Sequence, residues 1–177
     1  TIYDEISGEC TLDPQKGPPD ACNSAGNPIN FAIGNKFQSE IDYSLGSSSA
    51  LKFTRSYNSL DGLWRHSFST YLSFAGTQYV SVMMHHGRES FFTVSGTTIT
   101  PTSADLGVLT KVGTAGWQYI STDNERFTFN TAGKLTQWSN AHGAVHQFAY
   151  AGNQVNVTDN LGNSLTFTED ANKQPLT

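Results

Sequence analysis

The sequence predicts an all-β protein: an antiparallel sheet unit that leads into repeated β-hairpins and leaves an open edge at its C-terminal end. Two observations carry this. Apolar residues recur with period two in one short window after another, which is the pattern of half-buried strands. Between the windows lie clusters of Gly, Asn, Asp, Ser and Pro, the residues of tight turns. The composition agrees. Only 14% of the 177 residues are charged, while 12% are aromatic. Disordered chains show the reverse, high charge with few aromatics. No window supports a long helix, and the polar segment Thr102–Leu109 has room for one helical turn at most.

Residues 1–26 read as an irregular arm, because Pro14, Pro18 and Pro19 forbid regular pairing. The arm holds both cysteines, Cys10 and Cys22, in "CTLDPQKGPPDAC". A disulfide between them would restrict a segment with little core of its own, by roughly 3 kcal/mol in the chain-entropy picture. It would also imply an oxidising, exported setting. Two unpaired thiols are the alternative. "GNPINFAIGNKFQSEIDY" (26–43) then turns the chain into a strand, with Phe37, Ile41 and Tyr43 expected on one face. In the turn, Asn27, Asn30 and Asn35 can satisfy backbone groups with their side chains. "LKFTRSY" places Leu51, Phe53 and Tyr57 on a face. "HSFSTYLSF" does so with Phe68, Leu72 and Phe74, and "YVSVMM" with Val80, Val82 and Met84. Further strands are expected at "RESFFTVSG", "WQYIS" and "RFTFN".

From Phe129 onward the chain resembles itself. An offset of 19 residues aligns Gly133 with Gly152, Trp138 with Val157, Asn140 with Asp159, Gly143 with Gly162, and Phe148 with Phe167; a third copy starts at "EDANKQPLT". Each copy reads as strand, Asn/Asp-x-x-Gly turn, strand. One such hairpin cannot bury both faces. Stacked copies can, which predicts a sheet that grows at one edge with Val155, Val157, Leu165 and Phe167 on its packed or lumenal side. The last strand offers unpaired backbone groups to whatever follows.

Several function classes are disfavoured. The net charge is −5 and the basic residues are scattered, so there is no stripe for phosphates and no nucleic-acid partner is expected. No stretch approaches the ~20 apolar residues of a membrane span. The five histidines, His66, His85, His86, His142 and His146, do not form a metal motif. Neighbours such as His85 and His86 point to opposite faces if they lie on a strand. "HGAVH" has helical ligand spacing in a segment that reads as turn and strand. No G-x-S-x-G elbow occurs. The carboxylate pairs Glu40 with Asp42 and Glu89 with Glu125 are the candidates for glycoside hydrolysis, and the first shares one strand face that suits solvent better. "AIGNKF" lacks the spacing of a phosphate loop. No catalytic residue, metal or cofactor is therefore expected, and the chain is not read as an enzyme. Among the tryptophans, Trp64 and Trp138 read as packed. Arg65, next to Trp64, could stack or pair with a carboxylate. Trp117, after Gly113 and Gly116, is the candidate for exposure and for stacking on a sugar.

Several separated motifs, "GNPINFAIGNKFQSEIDY", "LKFTRSYNS", "LWRHSFS" and "GRESFF", occur in the order seen in the domain that begins many RHS proteins. The hairpins that follow, with the turn "TDNLG" (158–162), resemble degenerate RHS/YD repeats; Phe129-Asn130, Tyr150-Ala151 and Glu169-Asp170 stand at the Tyr-Asp place. The resemblance covers roughly residues 26–177. It implies three parts: the arm (1–26), an RHS-type N-terminal β-domain (27–128) and the first degenerate repeats (129–177). It also implies a structural role in bacteria: an exported or cell-surface segment that starts the RHS shell enclosing a C-terminal toxin or effector. Its partners would be the remaining repeats, that effector and a component of a secretion system. The alternative is a carbohydrate-binding or adhesive cell-surface β-domain.

Overall fold

In the computed structural model the described residues are 2–4, 9–11, 15–19, 24–25, 28–46, 51–103 and 107–176. They are all-β, with no α-helix among them. In chain order the strands are β1 (Ile2–Asp4), β2 (Glu9–Thr11), β3 (Ser24–Ala25), β4 (Ile29–Asn30), β5 (Asn35–Ser44), β6 (Lys52–Asn58), β7 (Leu63–His66), β8 (Tyr71–Ala75), β9 (Tyr79–Met83), β10 (Glu89–Ser95), β11 (Thr98–Pro101), β12 (Val108–Val112), β13 (Gly116–Ile120), β14 (Arg126–Phe129), β15 (Leu135–Ser139), β16 (Val145–Ala151), β17 (Gln154–Asp159) and β18 (Ser164–Thr168). Three larger antiparallel sheets take the orders β3-β4-β5-β6-β7, β11-β10-β9-β8 and β12 through β18, and β1 pairs with β2. Every neighbour in the seven-stranded sheet is also a neighbour in sequence, so it is one long meander.

The seven-stranded sheet supplies the common floor. Its first strands pack Leu109, Trp117, Tyr119, Phe127, Phe129 and Leu135 against Leu72, Val80, Val82, Met84 and Phe92 of the four-stranded sheet. Its last strands pack Val155, Val157 and Phe167 against Leu51, Phe53 and Phe68 of the five-stranded sheet region. Phe148 touches both cores. The opposite face carries a row of uncharged polar residues through consecutive registers: Thr110, Gln118, Thr128, Gln137, Gln147, Thr158 and Ser164. Alternation thus does what period two requires, with one apolar and one hydrated face.

Three expectations are corrected. Phe37 is buried, but Ile41 and Tyr43 are 61% and 44% exposed. Ile41 keeps the face of Phe37, but from Ser39 onward that face of β5 is exposed; the bulge at Asp42, between the Ile41–Thr54 and Tyr43–Phe53 pairs, then turns Tyr43 to the other face. Leu72 and Phe74 share the packed face of β8, opposite Val82 and Val80, with Phe74 half-exposed beside Trp117, but Phe68 is not on that face: it lies in the turn after β7 and joins the other core. The segment at Thr102–Leu109 gives way to strand at Val108; residues 104–106 lie outside the described residues.

Candidate functional site

The repeat sheet is built on one turn. Asn130, Asn140, Asp159 and Asp170 each accept, through Oδ1, the backbone N–H groups of residues two and four further on, at 2.8–3.0 Å. Each also closes two backbone bonds: its own N–H donates to the carbonyl of i+4, and its carbonyl accepts the N–H of i+3. Residue i+3 has positive φ in all four: Gly133 (79°), Gly143 (85°), Gly162 (89°) and Lys173 (60°). Ser121 runs a fifth copy, with its Oγ accepting Glu125 N–H and Asn124 at φ 58°. The side-chain acceptor replaces a missing strand partner, and the left-handed residue reverses the chain. That is why Asx at the first place and Gly at the fourth recur. β16 and β17 instead join through a two-residue loop at Gly152-Asn153. Gly133 and Gly152, aligned by the 19-residue offset, thus both adopt positive φ but in different turns.

At the far edge the chain is already making its next strand. After β18 the Asp170 turn brings Pro175 into a bridge with Glu169, and Leu176 N–H donates to Thr168 O at 2.9 Å. This turn also meets β7 and the first residue of β8. His66 Nε2 lies 3.2 Å from Glu169 Oε2, Trp64 N–H donates to Gln174 Oε1 at 3.2 Å, and Lys173 Nζ sits 5.3 Å over the Tyr71 ring. Burial drives the His66 pKa below its ordinary value, although Glu169 opposes this. Its Nδ1 accepts Phe68 N–H, so both ring nitrogens are engaged, and the ring stacks on Phe53. His66 is a structural tie between β7 and the last hairpin.

A second polar cluster fixes the front of the chain. Asn30, Asn35 and Asn58 are all at most 1% exposed. Asn58 Oδ1 accepts from Gly17 N–H (2.7 Å) and Asn35 Nδ2 (2.9 Å), and its Nδ2 donates to His86 O (3.0 Å). Asn35 Oδ1 takes Leu60 N–H and Asn30 Oδ1 takes Ala32 N–H; Asn27 lies outside the described residues. Beside them Asp61 joins Lys16 and Arg65, each at 2.7 Å. Burial raises the Asp61 pKa, but the hydrogen bonds from Arg65 and Lys16 prevail and hold it at about 2.

The other residues singled out by sequence fall as follows. His85 and His86 do not lie on a strand. They sit in a turn, Met84 to Arg88, with the backbone pattern of the repeat turns and Gly87 at φ 99°, so their rings meet at 4.9 Å instead of facing apart. Burial pushes them down to about 4 and about 3. Trp117 is not exposed. It is 8% exposed in the core, beside Phe74, because Gly116 lets β13 lie close against Phe129 O. The proposed sugar-stacking surface is therefore absent at Trp117. Trp64 packs between Tyr57 and the Arg55 guanidinium, while Arg65 pairs with Asp61. Glu40 and Asp42 both pair with Arg55, and Glu89 accepts from Ser81 Oγ. Among the described residues no group of three His, Cys, Asp or Glu is placed to hold a metal. Cys22 lies outside the described residues and the side chain of Cys10, on β2, is not described.

Sequence reasoning reached Asp170 only as the start of a third copy and missed its turn and the ties from Glu169 and Gln174. The Asx of the turn is present at Asp170, but Lys173 stands where Gly marks the turns at Asn130, Asn140 and Asp159. No local signal announces His66–Glu169, a pair 103 residues apart. Searched against curated proteins, the chain has no match. A family model, that of DUF6531, a domain of unknown function, matches residues 26–92, the span from the approach to β4 into β10.

Proposed function

We propose that this chain is a structural starting segment of an RHS-type β-strip. In this reading residues 26–92 fold the beginning of the strip, and the hairpins from Phe129 are its first degenerate repeats. The carrying observation is the pairing of Leu176 with Thr168 through the Asp170 turn: the sheet ends in a strand already begun, on the same turn chemistry as the four before it. Beyond that pairing, Ser164 to Phe167 of β18 have no strand on their outer side among the described residues, which favours continuation by further hairpins. The parent protein is then an exported bacterial shell around a C-terminal toxin or effector, handed over through a secretion-system component. This segment acts by closing and anchoring one end and performs no chemistry.

Amide exchange and limited proteolysis of the parent chain test this. The outward-facing amides of Ser164 and Thr166 should exchange slowly in the parent and fast in the isolated segment, and the C-terminal region of the parent should resist protease. Equal exchange in both, or a C-terminal region cut as fast as when free, overturns the reading.

A further inference from the structure

The last turn departs from the others at one position. Gly133, Gly143 and Gly162 hold the left-handed fourth place of the Asx turns before it, but Lys173 holds it here, at φ 60°. A side chain is strained there and glycine is not, so this lysine stands against the local preference. Its ammonium is loosely held, 3.5 Å from Glu169 Oε1 and 5.3 Å over the Tyr71 ring, and its side chain stays 23% exposed.

Lys173 borders a cleft of about 180 Å³ between β7, the start of β8 and the last turn. Leu63 and Ala171 give the cleft apolar sides. Its polar lining is Arg65, Ser69, Tyr71, Asn172 and Lys173: two cations and no carboxylate. Ser69 is engaged by the His66 backbone. The rest are donors with capacity to spare. Arg65 gives two N–H groups to Asp61. Its other N–H groups, the Tyr71 hydroxyl and the Asn172 side-chain amide have no acceptor among the described residues. The charge balance agrees. Asp61 is shared by Lys16 and Arg65, which leaves that cluster one positive charge in excess, and Glu169, which pairs with Lys173, is not in the lining.

We propose that this cleft binds a phosphate group. Lys173, Asn172 and Tyr71, its more open members, donate to the phosphate oxygens, and the buried Arg65 supplies positive charge from the wall. A tetrahedral dianion accepts from several directions at once, so donors drawn from three separate elements suit it better than a planar carboxylate. The volume admits inorganic phosphate or the phosphoryl end of an ester. An occupant bridges the last turn to β7 and β8. The site does not rest on the shell reading.

The test is a titration with sodium phosphate at about pH 8, where phosphate and its esters are dianions, with ionic strength held constant by sodium chloride. Heteronuclear NMR follows the Asn172 side-chain amide and the backbone amides of Ala171, Asn172 and Lys173. Saturating shifts are expected. Sodium acetate should bind at least about tenfold more weakly. Methyl phosphate separates the two sources: binding equal to that of phosphate assigns the cleft to the phosphoryl end of a larger molecule, and much weaker binding assigns it to the free ion. Lys173→Gly suits the positive φ of the turn, so it should fold, and it should weaken phosphate about tenfold. Tyr71→Phe keeps the ring and should weaken it about threefold. Shifts that never saturate, acetate binding as well as phosphate, or undiminished binding by Lys173→Gly overturn the proposal.

Discussion

The two ends of this molecule are held by opposite means. From Ser121 to Gln174 every chain reversal except the Gly152-Asn153 loop is stabilised within itself, by an Asx or Ser side chain bonding backbone two to four residues ahead. From Gly17 to Glu89 the decisive bonds are remote: Asn58 reaches Gly17 across 41 residues, Asn35 across 23 and His86 across 28. Local bonds can be copied, so they suit a strip that repeats. Remote bonds cannot be copied, so they suit a single irregular beginning. The front is expected to fail as a unit and the repeats one turn at a time.

The largest expected break is Asn58→Ala. It strands Gly17 N–H, the Asn35 amide and His86 O inside the protein, each worth about 1–3 kcal/mol when left unmade. A loss of about 4 kcal/mol is expected in denaturant unfolding. A loss under about 1 kcal/mol would show that the front is no more interdependent than the repeats.

A glycine pair sharpens the contrast within the repeats. Gly133 and Gly162 occupy the same turn place with similar φ. A Cβ on Gly162 meets nothing within 4 Å, so Gly162→Ala should cost only the left-handed strain, about 1–2 kcal/mol. A Cβ on Gly133 would lie 2.5 Å from Leu72 O, where β8 docks on the turn and Leu72 N–H donates to Gly133 O at 2.9 Å. Gly133→Ala should cost about 3 kcal/mol, with overpacking added. Equal losses in thermal unfolding would mean that the docking carries no energy.

Acid should loosen the front progressively. His85 and His86 titrate at about 4 and about 3 when folded, below their ordinary 6.5. With folded values depressed, the unfolded chain binds protons first. Their contribution is complete above about pH 6.5 and declines as pH falls toward those values. Asp61, held at about 2 against 3.8, adds its own loss only below about pH 4. The fall in Tm between pH 6.5 and 4 should be shallower in His86→Gln; an unchanged slope would remove that histidine from the account. The smallest effect belongs to Arg55→Ala. Its pairs with Glu40 and Asp42 are partly exposed, and under about 1 kcal/mol should be lost, most visibly at low salt.

Much of this was legible in the sequence, for a physical reason. Strand pattern and turn chemistry are local, so Val80, Val82, Met84, Val155, Val157 and Phe167 could be placed on packed faces, and Asn140 and Asp159 in turns, from spacing alone. Asn30 and Asn35 could likewise be read as turn ties. The failures occur where a local rule met a remote neighbour. Trp117 looked exposed among glycines, yet Gly116 is what allows β13 to lie close enough to bury it. His85 and His86 looked like strand residues until a turn brought their rings together.

The sequence by itself determined an all-β chain, the alternation of its strands and the turns at Asn140 and Asp159, because each needs only neighbours within about five residues. Tertiary structure alone decided that β7 rests on the last hairpin through His66 and Glu169, that one floor carries two covering sheets, and that His146 on β16 lies buried. Those contacts join residues up to 110 apart. No period or spacing encodes them; they exist only once the sheets have packed.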